Sequence, residues 1–246
     1  HGDGFTEQEL VKEYLGWKDY IRTHRDFPAE RIEVIPNWYE DKGVLNTDRE
    51  HNSFREITKG RFTVSYFGNM GTMQDMQTIL SAVRALKDDP NVFFLFAGHG
   101  NKLETLQQTV RAENIENIAI YPFLHGADFE NALAISDCAL VTLVAGSTGL
   151  CCPSKTYSYM MEGIPLIAIM DDSDIVSDIR SGAGVSLKNG ESQRLAALIR
   201  GMAADPQGRE AMSRKCRELY LSHYTPEICT GQYVSLFRQL LGREDT

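Results

Sequence analysis

From Phe62 onward the chain alternates short runs of apolar, β-branched or aromatic residues with longer amphipathic stretches, the pattern of a parallel sheet covered by helices. The spacing predicts six strands, over 62–67, 92–97, 118–121, 138–143, 166–170 and 184–187. Helices are expected over 73–87, 102–112, 128–135, 155–161, 175–180 and 193–204. The expected fold class is therefore α/β, a doubly wound parallel sheet of Rossmann-like type. Two further helical patterns, 209–220 and 226–241, have no strand to return to and must pack elsewhere. At the front, 7–23 reads as a helix and 31–35 as a lone strand ending in Pro36-Asn37-Trp38, and these two elements cannot form a core of their own. Both ends read as pieces that reach toward another domain. No internal repeat and no low-complexity segment interrupts the pattern.

With 246 residues, 42% of them hydrophobic, the chain can bury one sizeable core. Its apolar runs, such as 92–97 and 165–170, are far shorter than the roughly 20 residues a membrane-spanning helix needs. A formal net charge of -9 argues against general nucleic-acid affinity, which needs a basic face, while leaving room for a local basic pocket. The five cysteines have no paired metal spacing, and the adjacent Cys151-Cys152 suits neither a zinc site nor an easy disulfide. A reducing cytoplasm is the expected setting. The opening His1-Gly2-Asp3-Gly4 has no charged region leading into an apolar stretch, so a signal peptide is not expected.

Ligands of an open parallel sheet bind outside the carboxyl ends of the strands, where glycines allow close approach and helix N-termini offer N–H groups. Gly68-Asn69-Met70-Gly71, with Gln74 opening the next helix, stands at such a place and suits a phosphate; a purely structural turn uses glycine equally well. Gly98-His99-Gly100 repeats the arrangement after the second strand, where simple chain reversal competes with ligand contact. The third glycine of the dinucleotide fingerprint is missing, which argues against a nicotinamide cofactor. The best candidate is 152–160 with Gly163-Ile164-Pro165. Pro153 and Ser154 suit a helix start, N–H groups near Lys155 and Thr156 would face the sheet edge, Lys155 adds a charge, and Ser158 lies one turn on. A capped helix with a solvated lysine is the competing reading. Asp171-Asp172-Ser173-Asp174 reads as acidic capping of a helix, not as a metal site.

Taken in order, Val34-Ile35-Pro36-Asn37-Trp38, Tyr66-Phe67-Gly68-Asn69-Met70-Gly71, Phe96-Ala97-Gly98-His99-Gly100, Tyr121-Pro122-Phe123-Leu124, Pro153-Ser154-Lys155 with Tyr157, Tyr159-Met160, Gly163-Ile164-Pro165 and Ser181-Gly182-Ala183-Gly184 form an ordered set. In these residues the chain resembles the C-terminal, donor-binding domain of family 4 glycosyltransferases, which have the GT-B fold. The resemblance runs from about Arg31 to Leu241, and is strongest to the branch that builds bacterial O-antigen, capsule and exopolysaccharide units. Many members bind the donor diphosphate with an arginine and a lysine, and the sugar and ribose with a Glu-x7-Glu motif. Here the basic positions fall on Asn69 and Gln74 and the glutamates on Leu150 and Ser158, so Lys155 would replace the missing charge.

The resemblance implies retaining transfer from a UDP- or GDP-sugar to an acceptor hydroxyl, with no metal or other cofactor. The implied diphosphate contacts are Gly68, Asn69, Gly71, Gln74, Ser154, Lys155, Thr156 and Ser158; the base would lie near Phe123, Leu124 and His125, with Gly98, His99 and Tyr157 as secondary candidates. It divides the chain into an N-domain remnant and linker (1–40), a donor-binding domain (41–225) and a terminal crossover helix (226–246). The implied partners are a nucleotide sugar and a glycan or lipid-linked acceptor held by an N-terminal domain with no counterpart before Arg31. No nucleic-acid partner is expected. The full-length enzyme is compatible with peripheral association at the inner membrane face, and this chain alone is expected to be inactive and prone to self-association. A degenerate, non-catalytic binding module is the competing reading.

Overall fold

The apolar runs become strands because they are short, β-branched or aromatic, and apolar on both faces, so that helices must cover each side. The computed structural model describes residues 10–12, 15–45, 49–147 and 151–242. Its strands are β1 (Leu10–Lys12), β2 (Ile32–Val34), β3 (Phe62–Asn69), β4 (Val92–His99), β5 (Ile118–Tyr121), β6 (Cys138–Thr142), β7 (Leu166–Ile169) and β8 (Gly184–Leu187). The α-helices are α1 (Leu15–Arg25), α2 (Arg55–Thr58), α3 (Met76–Ala85), α4 (Leu103–Ala112), α5 (Gly126–Ile135), α6 (Lys155–Glu162), α7 (Asp174–Asp178), α8 (Ser192–Ala204), α9 (Pro206–His223) and α10 (Pro226–Leu240).

Strands β3 to β8 form one parallel sheet in the order β5-β4-β3-β6-β7-β8. Alternation along each strand divides the core in two. Val64, Tyr66, Phe94, Phe96, Leu140 and Ile167 pack under α3 and α8, while Phe67, Phe93, Leu95, Val141 and Ala168 pack under α6 and α9. The order reverses between β3 and β6, whose following helices leave toward opposite faces. This is the switch point at which an open α/β sheet leaves a crevice.

Three expectations are corrected. Strands β3 and β4 run two residues further than the pattern predicts: Gly68 pairs with Gly98 and Asn69 with His99, so these residues are the last rungs of the ladder. The rungs close because a Cβ at Gly98 would stand 1.8 Å from the Gly68 carbonyl oxygen, an approach only glycine permits. Helix α3 starts at Met76, not at 73, because Asp75 caps it by accepting from Thr78 N–H at 3.0 Å. The segment expected as a helix over 7–23 instead holds a strand, β1, which pairs in parallel with β2 before α1 begins. Pairing satisfies the edge of β2 that would otherwise lack a neighbour, and the lone strand is therefore not alone. Residues 1–9, 13 and 14, over which that helix was also expected, lie outside the described residues.

Helix α9, the first without a strand to return to, packs on α6. Cys216 is fully buried, its thiol donating to the Ile164 and Ala183 carbonyls at 3.2 and 3.1 Å, and Arg217 donates to the Met161 carbonyl at 2.7 Å. The same helix fastens the linker after β2 to the domain. Tyr220 Oη donates to the Tyr39 carbonyl at 2.7 Å, and Arg217 pairs with Asp41 at 2.8 Å. On the other side Lys42 pairs with Glu130 at 2.6 Å and Leu45 N–H donates to Glu162 Oε2 at 2.7 Å. Helix α10 is different: Val234, Phe237 and Leu240, with Leu241 just after it, are exposed, while Leu236 is half-buried. Among the described residues no helix is long and apolar enough to cross a membrane.

Candidate functional site

At the carboxyl edge, over the reversal between β3 and β6, lies a cleft of about 700 Å³. One lip is the end of β3, with Gly68, Asn69 and Gln74; the other is the start of α6, with Ser154, Lys155 and Ser158. Phe123, Leu124 and His125, between β5 and α5, close one end, and the strapped linker contributes Trp38 and Tyr39. Thr142, Leu143, Cys151 and Cys152 complete the wall between β6 and α6. The described lining contains no carboxylate, although the chain carries a net charge of -9.

Lys155 dominates the electrostatics. Among the described residues its ammonium has no carboxylate and no hydrogen-bond acceptor; Nζ lies 3.7 Å from the centroid of the Tyr66 ring. Burial lowers its pKa from the ordinary lysine range to about 7. The residue as a whole is half-buried. It passes over Gly68, where a Cβ would stand 3.1 Å from Lys155 Cε. Gly68 also has φ +134, so backbone and side-chain space both demand glycine there. Tyr66 is itself fully buried, and its hydroxyl, pushed up in pKa by burial, donates to the Asn69 carbonyl at 2.6 Å.

The start of α6 is not capped as its sequence suggests. Ser154 stands at the N-cap with helical φ/ψ and its hydroxyl makes no capping bond. Thr156 N–H turns back to the Pro153 carbonyl at 2.9 Å and Tyr157 N–H to Ser154 at 3.2 Å. Among the described residues Lys155 N–H has no partner, so the positive end of α6 opens on the cleft beside the ammonium. Asp171-Asp172-Ser173-Asp174 does open a helix, α7, with Asp174 in its first turn, but the cap itself is Ser173, which accepts from Val176 N–H, while Asp172 pairs with Arg180 at 2.6 Å and Asp171 accepts from Gly146 N–H at 2.7 Å.

The sequence-derived candidates therefore divide. Gly68, Asn69, Gln74, Phe123, Leu124, His125, Ser154, Lys155 and Ser158 line one cleft. Gly71, Gly98, His99, Thr156 and Tyr157 do not. Gly71 N–H closes a turn onto Gln74 Oε1 at 3.0 Å; Thr156 is buried, with Oγ1 on the Pro153 carbonyl; Tyr157 packs into the core against Tyr224 with ring centroids 5.0 Å apart. Gly98 lies beside Gly68 on the neighbouring strand, and His99, outside the cleft lining, makes a tilted ring contact with Phe123 at 5.7 Å. Leu150, one of the two positions matched to the family glutamates, lies outside the described residues. At the other, Ser158 Oγ donates to the Lys155 carbonyl at 2.9 Å. Tyr66, Trp38 and Tyr39 were not singled out as site residues by the sequence. Their signal in the sequence is that Tyr66 and Trp38 stand within the ordered motif segments, Tyr66 two residues before Gly68 and Trp38, followed by Tyr39, directly after Pro36-Asn37.

Comparison with known proteins places this cleft in context. The family model described as glycosyl transferases group 1 matches residues 48–219. A probable glycosyltransferase, WbjE of Pseudomonas aeruginosa, is 32% identical over 169 residues, 67% of this chain and 42% of that protein. A putative colanic acid biosynthesis glycosyl transferase, WcaI of Escherichia coli K12, is 24% identical over 55% of this chain and 34% of its own length. The chain thus spans less than half the length of these relatives. Among solved structures, Anabaena HepE in complex with UDP and glucose superposes with a TM-score of 0.78 at 16% identity, over 94% of this chain and 62% of that one. The lipopolysaccharide-biosynthesis glycosyltransferase WaaG superposes with a TM-score of 0.71 at 13% identity, over 91% and 61%.

Proposed function

We propose, from the premise that the chain belongs to the group 1 glycosyl transferases, that it forms the nucleotide-sugar-binding half of a two-domain retaining glycosyltransferase. The observation that carries this reading is the cleft itself: an ammonium without a carboxylate or hydrogen-bond acceptor among the described residues, and an open helix start, face a described wall without carboxylates, in a chain of net charge -9. A nucleoside diphosphate is the anion of the right size and charge. Its diphosphate lies against Ser154 and Lys155, with Gly68, Asn69 and Gln74 on the facing lip and Ser158 one turn further along α6. Its base lies near Phe123, Leu124 and His125. Gly71, Gly98, Thr156 and Tyr157 serve by holding the lips in place, and His99 by backing Phe123.

The domain boundaries follow the same reading, with 41–225 as the donor-binding domain, 1–40 as linker and remnant of an acceptor-binding domain, and 226–246 as the crossover helix. Transfer to a glycan or lipid-linked acceptor needs that other domain to close the cleft, so this chain alone transfers no sugar. The name of WcaI, a putative colanic acid biosynthesis glycosyl transferase, supports polysaccharide assembly as the setting, which we place at the inner face of the membrane, and the HepE complex supports uridine nucleotides as the first probes. The mechanism we propose involves no metal. Calorimetric titration with UDP- and GDP-sugars tests the reading: saturable binding is expected, and no heat with any of them up to millimolar concentration refutes it. A non-catalytic binding module is the second reading, favoured by Ser158 standing where the family has a glutamate. Sugar transfer by the chain joined to an acceptor domain eliminates it.

A further inference from the structure

An ammonium with no carboxylate beside it among the described residues needs some other group to fix its position. The structure supplies one. Lys155 Nζ stands 3.7 Å from the centroid of the Tyr66 ring, and Gly68 leaves the adjoining space open, since a Cβ there would come within 3.3 Å of Nζ. The ring cannot swing away. Tyr66 is fully buried, packs edge-to-face on Phe96 at 5.9 Å, and is anchored by its hydroxyl on the Asn69 carbonyl.

We propose that Tyr66 is a positioning residue for donor binding, whose ring face seats the Lys155 ammonium in the empty cleft while leaving its hydrogen-bond donors unspent for the donor diphosphate. This role rests on the donor-cleft reading given above. A carboxylate in the same place would hold the lysine more firmly, but it would also neutralise it and compete with the incoming phosphates. A ring holds a cation through its quadrupole and accepts no conventional hydrogen bond, so the ammonium keeps its three N–H donors. The seat therefore orders a long, flexible side chain without setting a counter-charge beside it.

Binding of UDP to the parent, Tyr66→Leu, Tyr66→Phe, Lys155→Ala and the Tyr66→Leu/Lys155→Ala double variant tests this by calorimetry. Tyr66→Leu should weaken UDP about 3- to 10-fold, the cost of immobilising one long side chain on binding that the ring otherwise removes beforehand. Tyr66→Phe, which keeps the ring, should recover most of that loss, and Tyr66→Leu should cost nothing further once Lys155 is alanine. A readout without nucleotide accompanies it: the ε-methylene protons of Lys155 should resonate upfield in the parent and in Tyr66→Phe, and at ordinary positions in Tyr66→Leu. Equal losses with and without Lys155, or Tyr66→Phe binding as weakly as Tyr66→Leu, overturn the seat. Should Tyr66→Leu not fold, the absence of the upfield shift in the parent overturns it alone. A parent that binds UDP without shift or coupling refutes only the seat; a parent that binds no nucleotide refutes the donor cleft and this role with it.

Discussion

Binding of a nucleotide sugar should draw a proton from solution, and the amount follows from Lys155. With its pKa lowered to about 7 by burial, the free side chain at pH 8 is about nine-tenths neutral. A diphosphate beside it favours the charged form and raises that pKa toward the ordinary lysine value. A UDP-sugar has no phosphate group of its own titrating near neutrality, so at pH 8 binding should take up about 0.9 proton, and at pH 6 only about 0.1. The sign is fixed by the direction of the shift: affinity is full below pH 7 and falls as pH rises above it, by at most about tenfold per unit until the pKa of the complex is passed. Titrating UDP-glucose calorimetrically at pH 8, in buffers of different ionisation enthalpy, measures the uptake directly. Zero uptake by the parent, or the same uptake by Lys155→Ala, would refute the reasoning.

Replacing Lys155 by alanine should weaken UDP binding by about 1.5–3 kcal/mol, the range for a hydrogen bond to a charged group, and calorimetry at pH 7 should find a nucleoside without phosphates little affected. Because the folded-state pKa of Lys155 is depressed, its charge opposes folding in a window that opens below the unfolded lysine value and is complete below about pH 7. Lys155→Met should accordingly raise Tm more at pH 7 than at pH 10, as scanning calorimetry would show. Alanine at Gly98 should cost about 3 kcal/mol or prevent folding, since its Cβ would stand 1.8 Å from the Gly68 carbonyl oxygen; urea unfolding measures it. The exposed stripe Val234, Phe237, Leu240 and Leu241 should make the chain self-associate, so light scattering should show a mass that rises with concentration and falls back in a Phe237→Ser/Leu240→Ser variant.

The sheet was legible because its signal is local: each apolar run carries its own period, and each lies within two residues of an observed strand. The strand ends were not. Gly68-Asn69 and Gly98-His99 read as turns, because a glycine at a strand end looks the same whether the chain reverses there or presses against a neighbour, and only the β3–β4 approach decides between them. The front is illegible for a related reason, since the strand character of Leu10–Lys12 depends on β2, where Leu10 pairs with Ile32. Within the site, the sequence found the segment that carries the chemistry but not its rotation. Lys155 and Ser158 are one helical turn apart and share the cleft face of α6, whereas Thr156 and Tyr157 turn into the domain. A helix buried nearly all round gives no apolar stripe from which to read that phase. The environment of Lys155 was less legible still. Whether a lysine is solvated or held over a ring is set by what the fold brings beneath it, and Tyr66, on a distant strand, reads in sequence as one more core aromatic. The charge that makes the cleft an anion site is thus visible as a letter, while its seat over the Tyr66 ring, with no carboxylate beside it among the described residues, arises only when β3 and α6 meet.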